Sequence, residues 1–165
     1  MGRALNKITN KIDFEYEFTS NKEAISNKQR RDVPSILAVD ALFVIKINNK
    51  LFFKEEIAIL EFYKSLLKWT EITTDNQLEE FHYYTIEYDE YENGSLLSLV
   101  PYSDTQAGIK SIWSKSESLP LFNLDYIVTM FFDLERNLSR DIENYFNIDL
   151  NRFIQHIPYI SRLGD

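Results

Sequence analysis

From Ile12 to Phe18 the chain alternates strictly, with Ile12, Phe14, Tyr16 and Phe18 set against Asp13, Glu15 and Glu17. A period of two sends successive side chains to opposite faces of a strand, so this segment is predicted to turn aromatics to a core and carboxylates to water. Thr19 to Pro34 is polar and charged and reads as a connector with one helical turn at most, Pro34 biasing its predecessor toward extended geometry. Between Ile36 and Ile47 apolar residues occupy both alternate sets, Leu37, Val39, Ala41, Phe43, Ile45 and Ile47 on one and Ile36, Ala38, Leu42 and Val44 on the other. That pattern predicts a long strand near the centre of a sheet. Asn48-Asn49-Lys50 supplies residues tolerant of positive φ, and a hairpin to Leu51, Phe52 and Phe53 is expected.

Glu55 and Glu56 carry the charge that suits a helix N-terminus, and Ile59, Phe62, Tyr63, Leu66 and Trp69 recur at helical spacing through about residue 71. Three further strands are predicted after a polar linker at Thr73 to Gln77: Phe81 to Tyr88, Ser95 to Tyr102 and Ala107 to Trp113. Asn93-Gly94 and Ser103-Asp104-Thr105 are the turn signals between them, and Pro101, having no amide hydrogen, must end its strand or lie at an edge. A long amphipathic helix starts near Asn123 as N-cap and carries Ile127, Phe131, Leu134, Leu138, Ile142 and Tyr145. A shorter helical turn over Leu150 to His156 precedes Pro158. The order β-β-β-α-β-β-β-α predicts an α+β fold: a mainly antiparallel sheet of about six strands with two helices packed on one face.

The chain length of 165 residues fits a single domain over residues 1–165, with residues 1–11 as a flexible N-terminal arm. The absence of cysteine excludes disulfides, thiolate metal sites and cysteine nucleophiles, and it suits a reducing compartment. Met1 to Lys11 has no apolar run of signal-peptide length, so a cytoplasmic, non-membrane protein is expected. The formal charge is −8 and is uneven: residues 1–31 hold seven basic and four acidic groups, leaving eleven basic and twenty-two acidic in the remainder. Such a body repels phosphate backbones and anionic lipid and favours basic proteins, so nucleic acid is not an expected partner.

Familiar catalytic signatures are missing. With glycine only at positions 2, 94, 108 and 164, neither a dinucleotide fingerprint nor a phosphate loop can be written, and no G-x-S-x-G elbow occurs. Neither Glu-x-Lys nor Asp-x-Lys is present, which argues against one class of metal-dependent nuclease. Asp89, Tyr91, Asn93 and Gly94 begin like a calcium loop, but Tyr91 stands at a ligand position and Val100 where the bidentate glutamate belongs. His82 follows Glu79 and Glu80 and could join them on a metal, although a partly exposed strand histidine explains it as well. His156 is accounted for by packing or solvation, Asp89 with Glu90 by surface solvation, and Trp69 and Trp113 by core packing. No cofactor, metal or catalytic residue is therefore expected.

What remains is acid interleaved with tyrosine. Glu79 to Asn93 contains Glu79, Glu80, Glu87, Asp89, Glu90 and Glu92, no lysine or arginine, and Tyr83, Tyr84, Tyr88 and Tyr91. Asp13, Glu15, Glu17, Glu87, Tyr88, Asp89, Glu90, Tyr91 and Glu92 are the candidate partner-binding residues, since carboxylates steer a basic partner and tyrosines give rigid contact area. The bland alternative is a solvated hairpin whose tyrosines pack inward.

This acidic, cysteine-free, glycine-poor α+β chain, with its Asp89-Glu90-Tyr91-Glu92 hairpin tip and its abundant Asn, Lys, Ile, Tyr and Phe, resembles the small immunity proteins of bacterial polymorphic and contact-dependent toxin systems. The resemblance is one of type over the whole chain, so it carries over no site residue. It implies an intracellular, non-catalytic protein that occludes a toxin domain, often a basic nuclease. Two other classes stay open: an enzyme or small-ligand sensor with a pocket built from Asp40, His82, Tyr84 and Trp113, and an assembly subunit that uses Ile12 to Phe18 as an exposed edge. Oligomeric state is not legible.

Overall fold

The computed structural model describes residues 9–73, 78–85, 95–113 and 119–160. Strand β1 spans Ile12–Phe18, as its alternation predicts: Ile12 is buried, Phe14, Tyr16 and Phe18 are half-buried, and the three carboxylates between them are exposed. β1 pairs antiparallel with β2 (Asp40–Ile47), which pairs antiparallel with β3 (Lys50–Ala58). The β2–β3 turn holds Asn48 at φ 54° and Asn49 at φ 68°. Two successive left-handed residues match the right-handed twist of a hairpin, and asparagine tolerates that region better than a branched side chain. Asn48 also accepts from the Lys11 amide (2.9 Å) and donates to Asn10 (2.8 Å), while Asn10 donates to the carbonyl of Leu121 (2.7 Å). Residues 10 and 11 of the predicted flexible arm are thus tied to the body.

The long strand expected over Ile36–Ile47 is divided. Val33–Leu37 forms a short helix, α1, with Pro34 in its first turn and Ser35 donating to Asp32 (2.7 Å), and only from Asp40 does the chain extend. Proline's fixed φ and missing amide suit the opening turn of a helix, and buried Ile36 and Val39 reach the core from either geometry. A second correction concerns Glu55 and Glu56. They lie within β3, opposite Phe43 and Leu42, and the helix α2 begins only at Ile59, running to Ile72. Ladder hydrogen bonds to β2 outweigh the local preference of two carboxylates for a helix start.

The remaining strands make a separate antiparallel sheet, in the order β4 (Phe81–Tyr83), β5 (Leu97–Pro101), β6 (Gln106–Lys110), β7 (Leu121–Asn123). Among the described residues the single six-stranded sheet is therefore corrected to sheets of three and four strands, and the two predicted helices become three, the last being α3 (Leu124–Phe146). The three-residue β7 has too little periodicity to be read, and β6 stops short of Trp113. Pro101 does end β5, and the Ser103–Thr105 turn is closed by amides of Tyr102 and Ser103 donating to the Gln106 carbonyl (2.9 and 3.1 Å). The Asn93-Gly94 turn lies outside the described residues. Gly108, opposite Leu121 of β7, leaves room for the Leu119 side chain just before that strand: a Cβ there would come within 2.8 Å of it.

One aromatic core joins both sheets to α2 and α3. Phe62 of α2 meets Phe43 of the first sheet (4.9 Å between centroids) and Tyr83 of the second (5.2 Å), and Phe131 of α3 meets Phe14, Trp69 and Phe81. Trp69 is buried and donates its indole N–H to the carbonyl of Glu79 (2.7 Å). Trp113, expected in the core, is only half-buried, its ring 6.4 Å from that of Phe53. Past α3, whose C-terminal cap Asn147 is left-handed, the helical turn predicted over Leu150 to His156 takes the form of two 3₁₀ turns, Leu150–Arg152 and Ile154–His156. Among the described residues no helix is long and apolar enough to cross a membrane.

Candidate functional site

The β1–β2–β3 register lines up the outward residues in rows: Asp13 beside Lys46 beside Leu51, Glu15 beside Val44 beside Lys54, Glu17 beside Leu42 beside Glu56. Asp13, Glu15, Glu17, Lys54 and Glu56 are exposed, Leu51 is 44% exposed, and Leu42 and Val44 are half-buried. The face thus has an apolar centre with a charged rim in which carboxylates outnumber lysines. Glu15 and Lys46 form an ion pair at 3.4 Å with both side chains well exposed, and such a pair holds its partners only weakly. The structure brings Asp13, Glu15 and Glu17 together on this face. Glu87, Tyr88, Asp89, Glu90, Tyr91 and Glu92 lie outside the described residues.

Among the described residues β1 is also a sheet edge, with β2 on one side only. The amide of Asn48 donates to the carbonyl of Lys11 (2.9 Å) and that of Thr19 to the carbonyl of Asp40 (3.1 Å), so odd-numbered residues bond toward β2. Even-numbered residues then direct N–H and C=O outward, as Ile12 does, its amide donating to the hydroxyl of Tyr126 (2.9 Å). At the far end Tyr145 donates to the carbonyl of Ser20 (2.9 Å). Both tyrosines come from α3. Between them, the outward backbone groups of Phe14, Tyr16 and Phe18 meet no partner among the described residues.

A second cluster, not foreseen as such, surrounds His82. Its Nε2 lies 2.8 Å from Oε1 of Glu80, its Nδ1 lies 3.0 Å from Oγ of Ser98 and 3.2 Å from Oγ of Ser95, and the two serine hydroxyls bond each other. A carboxylate only accepts, so the neutral ring carries its proton on Nε2 and Nδ1 accepts from serine. This carboxylate–imidazole–hydroxyl chain is the kind that can activate a hydroxyl. Here Ser95 and Ser98 are 5% and 1% exposed, which makes a polar clasp between β4 and β5 the direct chemical role. The pairing of His82 with Ser98 depends on strand register, which local spacing does not reveal.

Of Asp40, His82, Tyr84 and Trp113, it is Trp113 that lines a cavity. That cavity, about 190 Å³, sits against Glu56, Ile57, Tyr83 and Leu96. Among the described residues no group of three or more His, Cys, Asp or Glu could hold a metal ion, and His82 meets Glu80 alone of the two carboxylates suggested for it.

These features define an α+β domain of two antiparallel sheets about a shared aromatic core, with an acidic open face on the smaller sheet. The chain belongs to the family described as a domain of unknown function (DUF7878), whose model matches residues 14–144, from β1 almost to the end of α3. No curated protein and no solved structure matches the chain.

Proposed function

We propose that this protein is a non-catalytic binding domain that holds a basic partner protein against the open face of its three-stranded sheet, in the manner of an immunity protein that neutralises a toxin. The observation that carries this is the alignment of Asp13, Glu15 and Glu17 on one exposed strand face beside the half-buried Leu42 and Val44. An apolar centre rimmed by charge of one prevailing sign is the anatomy of a polar interface: the centre is desolvated and the rim steers the encounter. The excess of carboxylates over the chain beyond residue 31 extends that steering over the whole body. Action within the cytoplasm fits the lack of cysteine.

The test is affinity capture from the native host with wild-type protein and with Asp13→Lys/Glu15→Lys/Glu17→Lys side by side, the captured protein being identified and re-bound in purified form. A basic protein held by the wild type and lost by the variant is expected. Recovery of no basic protein, or capture unchanged by the reversal, overturns the proposal.

A second, hydrolytic reading starts from the Glu80–His82–Ser98 chain and requires that Ser98, 1% exposed, open to solvent. Labelling of Ser98 by a fluorophosphonate probe, abolished by His82→Gln, would support it; an unlabelled folded protein would remove it.

A further inference from the structure

The open run on β1 allows the mode of contact to be specified, and this step rests on the reading of the first sheet as a partner surface. We propose that β1 receives an extended basic segment of the partner as an added antiparallel strand, bonded to the backbone of Phe14, Tyr16 and Phe18.

Sheet edges are templates for pairing, and natural proteins cover or blunt them. α3 covers this edge only in part. Tyr126 takes the outward groups at Ile12, Tyr145 takes the carbonyl of Ser20, and the stretch between them is left with three residues whose N–H and C=O face outward. That length suits a short strand, bounded at both ends by tyrosine hydroxyls.

Side-chain charge then selects the occupant. On an added antiparallel strand, the residues opposite Phe14, Tyr16 and Phe18 exchange backbone bonds, so those opposite Asp13, Glu15 and Glu17 fall at the non-hydrogen-bonded positions where side chains approach most closely. In the central register a second copy of β1 would place Asp13 opposite Glu17 and Glu15 opposite its own counterpart, carboxylate against carboxylate at all three positions. Like charges directly opposite destabilise a strand pair, so self-pairing is opposed. A segment with lysine or arginine at every other position meets the same three carboxylates as ion pairs. Backbone pairing of this kind gives affinity, and the alternating side chains give selectivity.

The experiment uses the full chain and three synthetic peptides: one alternating lysine with threonine and valine, the same peptide N-methylated on the threonine and valine residues, and a version with glutamate for lysine. Binding is followed by titration, and amide exchange is followed residue by residue. The lysine peptide is expected to bind and to slow exchange at Phe14, Tyr16 and Phe18 by about tenfold or more, with less change at Asp13, Glu15 and Glu17, already bonded to β2. N-methylation and Asp13→Lys/Glu15→Lys/Glu17→Lys are each expected to weaken binding about tenfold or more. The glutamate peptide should not bind.

Equal binding of the N-methylated peptide would overturn strand addition while leaving the acidic face as a partner surface. No binding of the lysine peptide, or binding unchanged in the charge-reversed variant, would overturn it too. Protection of the same three amides that grows with protein concentration and needs no peptide would assign the edge to a second copy. Failure of the broader proposal is read separately, from capture of the native partner by the charge-reversed variant.

Discussion

Tyr16 of the edge strand donates its hydroxyl to Asp141 of α3 across 2.5 Å, which fixes β1 to the long helix while leaving the strand's outer carboxylates exposed on the opposite face. Tyr63 of α2 makes the equivalent bond to Glu135 of the same helix at 2.7 Å. Burial first, then the bonded carboxylate, hold both phenols well above the ordinary tyrosine range.

Stability should therefore fall in alkali. The unfolded chain releases these phenolic protons near the ordinary value of 10.0, whereas the folded chain retains them. Above that pH the unfolded state binds fewer protons, so the contribution present in full below it is lost as pH rises toward the folded values. Urea midpoints measured across this window should drop for wild type and drop less for Tyr16→Phe/Tyr63→Phe. At neutral pH each single replacement should cost about 1 kcal/mol, the usual size of one hydrogen bond.

Phe131 is fully buried and touches rings from both sheets and from α2. Phe131→Ala should lose about 3–5 kcal/mol in denaturant unfolding, the range for removing a buried ring and leaving a cavity. Phe131→Leu should recover most of it. A loss near zero would mean that the two sheets do not share this core.

Lys64 is buried on α2 and donates to the carbonyls of Ile154 (2.6 Å) and Ile157 (2.9 Å), clasping the C-terminal 3₁₀ turns. Burial lowers its pKa, with the nearby Lys68 adding to the effect. Lys64→Met keeps the stem but leaves the Ile157 carbonyl unpaired and that of Ile154 with only the Ile157 amide (3.3 Å), at a cost of about 1–3 kcal/mol. Amide exchange should speed up at His156 and Ile157 before it does in the sheets.

Ser98→Ala removes one of the two hydroxyls on Nδ1 of His82, and Ser95 stays within reach at 3.2 Å. A loss of about 1 kcal/mol or less is expected, against a larger one for Ser95→Ala/Ser98→Ala, which leaves the ring nitrogen unpaired. Thermal unfolding of the three proteins decides this, and equal losses for the single and double variants would argue against the clasp.

Period and turn chemistry made β1, the Asn48-Asn49 hairpin, α2 and α3 legible, because each rests on bonds or faces set by residues close in sequence. Ile36–Leu37 and Glu55–Glu56 depart from the elements their local pattern predicts for one reason: a buried apolar run and a pair of carboxylates are each compatible with helix or strand, and the partner strand decides. The split into two sheets followed the same rule, since pairing joins segments far apart in the chain. The acidic strand face was visible in the alternation of Asp13, Glu15 and Glu17, but its apolar centre at Leu42 and Val44 needed the β1–β2 register.

By itself, then, the sequence determined which side chains lie on one face of each strand and helix, the sign of the protein's charge, and which cysteine and glycine chemistry it cannot perform; these follow from local periodicity and composition. Tertiary structure alone decided that β1 is an edge whose ends are capped by Tyr126 and Tyr145, and that His82 meets Glu80 and Ser98. Those contacts join residues that only hydrogen-bonded pairing and core packing bring together, and no local pattern encodes them.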